Sequence, residues 1–248
     1  MTLSIGIVVY GNDTRKQQQL QWLQQQLGAN QLLVLNNHET QRMPGDLEAD
    51  NRFYEFSGYL KLVQLFEEKA GSFLILNDTL FKTHWSWGWV WLLKRLTGKY
   101  DCGSATVLGD LRFDGEDLVE RPHPFMASWI FWFSDNEALK VFGDGLESIC
   151  HLPLPEVSAA YQHFLDGWIS PSNRLSGWHG KVSDVEIKRK KLCVMLEHAL
   201  SRELMKQDVR MGGFGEIHPI FYRMLRIIDR LRTRWQSFRS EGRSQNEE

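Results

Sequence analysis

Phe73-Leu-Ile-Leu-Asn-Asp-Thr-Leu-Phe81 is the stretch on which the fold turns. Its apolar run is too short to span a membrane and lies between Gly71 and Lys82, so it reads as a buried strand. Asn77, Asp78 and Thr79 then place three polar side chains where a buried strand would keep hydrocarbon. An unpaired carboxylate in a dry core costs on the order of several kcal/mol. Asp78 is therefore expected at the open end of the strand, facing a ligand, because open α/β sheets bind ligands at the carboxyl ends of their strands. A plainer reading is an Asx turn that ends the strand and caps the next segment of chain.

Upstream, Leu3 to Tyr10 is a β-rich run that ends at Gly11-Asn12-Asp13. Leu20, Leu23 and Leu27 have helical spacing in a glutamine-rich segment that stops at Gly28. Gln31 to Leu35 is a second strand running into Asn36-Asn37-His38, and Tyr59, Leu60, Val63 and Phe66 mark a second helix over 57–69. Strand–helix–strand–helix–strand implies right-handed crossovers and an α/β fold with a mostly parallel sheet and flanking helices. Neither the GxGxxG fingerprint nor a P-loop lysine is present, which argues against folds that cradle phosphate on a glycine loop.

Further on, Trp85, Trp89, Leu92, Leu93 and Leu96 share one helix face and read as core, while Trp87 or Trp91 has the chemistry to stack on a sugar ring. Met126 to Phe133 is another strand, followed by a helix from Glu137. Residues 151–181, rich in Pro, Gly, Ser and Trp, read as a long loop region of the kind that binds ligands or forms lids. Lys188 to Lys206 is a helix with Leu192, Leu196, Ala199, Leu200 and Leu204 on its apolar face, and Gly212, Gly213 and Gly215 stop the chain after it.

The 248 residues suit one α/β domain over 1–216 with an appendage over 217–248, and 42% apolar content is that of an ordinary soluble protein. Cys102, Cys150 and Cys193 have no CxxC pairing, against a disulfide framework or a structural zinc site. With no run approaching the roughly 18 apolar residues of a spanning helix and no signal peptide before the first apolar segment, a cytoplasmic protein is expected.

The tail is different. Seven Arg stand against Asp229 and Glu241 between Ile217 and Arg243. Ile217, Ile220, Phe221, Met224, Leu225, Ile228, Leu231, Trp235 and Phe238 fall on one side of a helix, with Arg223, Arg226, Arg230 and Arg234 turned away. A basic amphipathic helix of this kind suits an anionic membrane interface or a docked terminal helix. Nucleic acid is not expected, because the rest of the chain is acidic and no binding module is visible.

The order of elements resembles the GT-A fold of nucleotide-sugar glycosyltransferases, and within it the rhamnan-synthesis F-like and family 2-like enzymes of bacterial surface-polysaccharide synthesis. Ile5 to Tyr10, Leu33 to Asn37, Tyr54 to Leu60 with Leu74 to Leu80, and Glu197 to Ser201 carry the likeness. It implies that Tyr10, Asn36, Asn37 and Gly58 line the nucleotide pocket, and that Asn77-Asp78 stands where the family holds Mg2+ or Mn2+ with Asp-x-Asp. This chain offers one carboxylate there, which leaves metal dependence open. By motif position Glu197 is the first choice for the base of an inverting transfer, followed by Asp184 and Glu186; His198 could reach a phosphate. The expected activity is sugar transfer from a nucleotide-sugar donor to a glycan or lipid-linked acceptor in O-antigen or capsule synthesis, at the inner face of the cytoplasmic membrane. A non-catalytic scaffold of the same fold is the alternative.

Overall fold

Strands β1 (Leu3–Val9) and β4 (Ser72–Asn77) are buried along their whole length, as parallel strands covered on both faces must be. The computed structural model describes residues 2–50, 52–99, 106–113, 118, 120–122, 124–151, 157–169, 183–207 and 209–244. With β2 (Gln31–Asn36), β3 (Leu47–Glu48), β5 (Thr106–Arg112), β6 (Phe125–Phe133) and β7 (Arg210–Gly213), the strands form one mixed sheet in the order β3-β2-β1-β4-β6-β5-β7. All neighbours are parallel except β6, which runs antiparallel to both β4 and β5.

Side-chain alternation divides the core. Phe73 and Ile75 of β4 face one layer, whereas Leu74 and Leu76 face the other. The first layer is closed by α2 (Glu55–Phe66), α4 (Asn136–His151) and α6 (Asp184–Lys206), and α5 (Ala159–Ile169) packs against α6. The second is closed by α1 (Thr14–Leu27), α3 (Trp87–Lys99), α7 (Phe214–Ile217) and α8 (Pro219–Ser244). Local chemistry sets the helix limits. Asp13 accepts the Lys16 N–H at 2.7 Å to open α1, and Gly28, in the left-handed region at φ 65°, closes it.

Two expectations need correction, and one strand goes unread. Strand β5 lies between α3 and Pro124, where Gly109 and the buried Asp110 break its apolar run. Gly212 and Gly213 do not stop the chain but form β7. A Cβ on them would lie 2.3 Å from Leu108 Cδ2 and 2.8 Å from Leu111 Cβ, so only glycine lets this strand approach. Within 151–181, Ala159–Ile169 is helical, and 152–156 and 170–182 lie outside the described residues, as does Cys102.

The tail helix docks, and not in the phase expected. Tyr222, Leu225, Arg226 and Asp229 turn towards the body, while Ile220, Met224, Ile227, Ile228 and Leu231 stay exposed. The side chains of Arg234, Trp235 and Phe238 lie outside the described ones. Two buried carboxylates hold the helix. Asp110 of β5 accepts hydrogen bonds from Tyr222 Oη, Arg226 (3.1 Å), Arg112 (3.0 Å) and Trp129 Nε1 (2.7 Å). Reciprocally, Asp229 of α8 accepts from Trp89 Nε1 at 2.8 Å and pairs with His84 Nδ1 at 2.7 Å. Burial alone would raise the Asp110 pKa, but the Arg112 and Arg226 guanidiniums and the two neutral donors hold it well below the usual carboxylate range.

Removing one partner of a buried ion pair costs about 3–5 kcal/mol. Asp110→Asn is expected to lose stability near the lower end of that range in urea unfolding at neutral pH. Because the folded-state pKa is depressed, Asp110 stabilises fully above about pH 4 and loses that contribution as the pH falls through the folded-state value. The gap between wild type and Asp110→Asn should therefore narrow in acid; a gap independent of pH would show that the charge does not hold α8.

Candidate active site

A cavity of about 320 Å³ opens at the carboxyl ends of the central parallel strands. Val8, Val9 and Tyr10 come from β1, Asn37 from the end of β2, and Asn77, Asp78 and Thr79 from the end of β4. Two main-chain bonds align these ends: the Asp78 N–H donates to Val8 O at 3.1 Å and the Asn37 N–H to Val9 O at 2.9 Å. The opposite wall is the first turn of α2, with Tyr54 and Glu55, and the first turns of α6, with Glu186, Arg189, Lys190 and Cys193.

An Asx turn and a place at the open end of the strand are compatible in the Asn77-Asp78-Thr79 stretch. Asn77 makes the Asx turn, its Oδ1 accepting the Thr79 N–H at 3.0 Å. Asp78 lines the cavity. The Asp78 main-chain oxygen accepts the N–H groups of Phe81 and Lys82, starting a single π turn over Leu80–His84 that brings Lys82 Nζ to 2.9 Å from Asp78 Oδ2. Lys16 Nζ lies 3.7 Å from the same oxygen. Asp78 Oδ2 is fully buried and makes no well-aligned hydrogen bond, so charge holds it there.

These surroundings do not suit a divalent cation. Mg2+ and Mn2+ take oxygen ligands, and the carboxylate at the end of β4 is occupied by two ammonium groups. The Asn77 carboxamide is committed to Thr79 and, at 3.5 Å, to Ser128 O. Among the described residues no group of three or more His, Cys, Asp or Glu side chains is placed to hold a metal.

Glu55 is the residue that the sequence did not single out. Its half-buried carboxyl lies between α2 and α6, with the Cys193 thiol donating to Oε2 at 3.5 Å. Burial pushes its pKa up, against the pull of the nearby Lys190 ammonium. A cavity carboxyl with a raised pKa has the chemistry of a general base or acid. Cys193 itself is pushed up by burial and by the Glu55 carboxylate, which keeps the thiol protonated.

Of the expected site residues, Tyr10, Asn37, Asn77, Asp78 and Glu186 line the cavity, and Asn36, Gly58, Asp184 and Glu197 do not. Asn36 is spent inside the fold. Its Oδ1 accepts from the Gly11 and His38 N–H groups, and its Nδ2 donates to Gln41 O and Asp46 Oδ2. Asp184 is exposed in the first turn of α6. Glu197 Oε2 accepts the Ser128 N–H at 2.7 Å, and the Ser128 carbonyl accepts from Tyr59 Oη and Asn77 Nδ2, so Glu197 braces the peptide behind the cavity wall. His198 is buried and bonded to Tyr161 Oη at 2.7 Å, and burial and nearby arginines pull its pKa down to about 3. Trp87 and Trp91 lie on α3, where they pack edge-on against Trp22 and Phe221.

Gly58 packs α2 on β1: a Cβ there would stand 2.6 Å from Val8 Cγ2 and 2.7 Å from Cγ1. Gly58→Ala gains about 1 kcal/mol of helix propensity but overpacks a branched strand residue, a fault that costs about 1–3 kcal/mol. A net loss of stability in thermal melts is expected; a rise in Tm would mean that α2 can move off the sheet. Comparison with protein-family models, curated proteins and solved structures gives no match to this chain, so the cavity is read from its own chemistry.

Proposed function

We propose that the chain is a glycosyltransferase moving a sugar from a nucleotide-sugar donor to a glycan or lipid-linked acceptor of bacterial surface-polysaccharide synthesis. The observation that carries this reading is the cavity at the ends of β1, β2 and β4, where Glu55 with its raised pKa faces a set of cations. The GT-A resemblance is in keeping with that position. Tyr10 and Asn37 are suited to the nucleoside, and Lys82, Arg189 and Lys190 to the diphosphate. In an inverting transfer the acceptor oxygen attacks C1 of the sugar and its proton passes to Glu55. The C1–O bond to the diphosphate breaks, and its electron pair goes to the β-phosphate oxygen.

A thermal-shift screen with UDP, GDP, dTDP and CMP tests the donor site, since a ligand bound by the native state alone must raise Tm. One nucleotide is expected to stabilise both wild type and Glu55→Gln, whereas release of that nucleotide from its sugar conjugates should fall roughly 100-fold or more in the variant. Stabilisation by none of them favours the non-catalytic scaffold, and unchanged turnover in Glu55→Gln removes Glu55 from the role.

The outer face of α8 fits the membrane-anchored acceptor of this reading. Ile220, Met224, Ile227 and Leu231 form an exposed apolar stripe, with Ile220 79% exposed, and Arg223 and Arg230 lie along one edge. Apolar side chains flanked by arginine complement an anionic lipid surface. Among the described residues no helix is long and apolar enough to cross a membrane. The protein should co-sediment with vesicles containing phosphatidylglycerol, less so at high salt, and Ile227→Asp should release it. Equal binding to purely zwitterionic vesicles would remove the arginine contribution. A dimer that Ile227→Asp dissociates, without vesicle binding, would assign the stripe to a second copy.

A further inference from the structure

We infer that the cavity takes the donor diphosphate without a divalent metal, with the Lys82 ammonium standing where a cation would otherwise bridge carboxylate and phosphate. The inference rests on the nucleotide-sugar reading above. It starts from the mismatch between the metal that the resemblance implies and the residues present: Asp78 is the single carboxylate at the end of β4, and it already carries two ammonium partners.

Those partners are not equivalent. Lys16 is anchored, its Nζ donating to the Gly11 carbonyl and its side chain only 17% exposed. Lys82 is 65% exposed and sits on the π turn that follows the strand end. An arriving diphosphate can therefore draw the Lys82 ammonium towards itself while Lys16 continues to neutralise Asp78. The exchange keeps Asp78 neutralised beside a polyanion, which is the task a bridging metal would perform. Arg189, whose guanidinium lies 5.9 Å from the centre of the Tyr54 ring, approaches from the opposite wall.

Asp78 then acts as a positioning residue for Lys82 and not as a metal ligand. As the C1–O bond breaks, the ammonium stays beside the oxygen that receives the electron pair, and no metal is required to neutralise it.

The test is calorimetric titration of the full chain with the nucleoside diphosphate selected by thermal shift, with EDTA and again with excess Mn2+. Affinity is expected to be the same in both. Lys82→Ala should weaken the diphosphate by roughly tenfold or more, the size of a lost charge-assisted hydrogen bond, and leave the parent nucleoside unchanged. Lys82→Arg should retain most of the affinity, a rescue that a general folding defect would not show. Binding that needs Mn2+ and ignores Lys82→Ala overturns the inference while leaving the donor site in place. Absence of binding under both conditions overturns the donor site and the inference with it.

Discussion

Two main-chain hydrogen bonds at the end of β1 set the geometry on which the rest depends. Val8 O holds the Asp78 N–H and Val9 O holds the Asn37 N–H, so the strands on either side of β1 end level with it. Each of these three strands is buried in its last residues. Once the ladder stops, the next polar groups must find partners or face an opening. Asn36 finds its partners within the fold, whereas Asn37, Asn77 and Asp78 border the cavity, the two asparagines with hydrogen bonds of their own. Helix α1 leaves β1 on one face and α2 reaches β4 over the other, so the cavity lies where consecutive connections diverge, the usual place for a ligand in an open α/β sheet.

Behind that edge, the second half of the sheet is held by charge. A carboxylate with no exposed surface is tolerable only when its lone pairs are filled. Asp110 meets that condition with donors from its own strand, from Trp129 on β6 and from Tyr222 and Arg226 on α8. Asp229 meets it in reverse, drawing its donors from the body. Two such nodes fix both the position of α8 along its axis and its rotation. That rotation explains why an apolar stripe remains outside: the helix was turned by its polar contacts and not by its most hydrophobic side.

Much of this was legible from residues and some could not be. Strands β1, β2, β4 and β6 announce themselves because buried strands are nearly unbroken apolar runs, and the leucine period gives α1 and α6. Asp78 stands out because a charge interrupts such a run. Strands β5 and β7 do not, since their glycines and Asp110 are explained only by neighbours far along the chain, Arg226 among them. Glu55 looks like any first-turn helix carboxylate, and Lys82, Arg189 and Lys190 like surface charge. What marks them is convergence, a property of the folded chain. Glu197 illustrates the converse. Its motif position is suggestive, but the phase of α6 aims its carboxylate at the Ser128 N–H.

Tyr54 shows how the cavity is kept open. Among the described residues it is the non-glycine residue with a positive φ, 56° at ψ −132°, and such a conformation costs on the order of 1–3 kcal/mol for a bulky side chain. A residue free to relax would not stay there. Asn37 Nδ2 holds the Tyr54 carbonyl at 3.1 Å, and Ser57 Oγ takes the N–H of the preceding Phe53 at 2.9 Å. The turn is thus clamped from the end of β2 and from within α2, whose Phe56 and Tyr59 are wholly buried. Glu55 comes directly after it, so the clamp also fixes the carboxyl that faces Lys190 and Cys193. Strain held by two hydrogen bonds is a form of preorganisation. The energy that would let the wall collapse is spent during folding, and a ligand need not supply it on arrival.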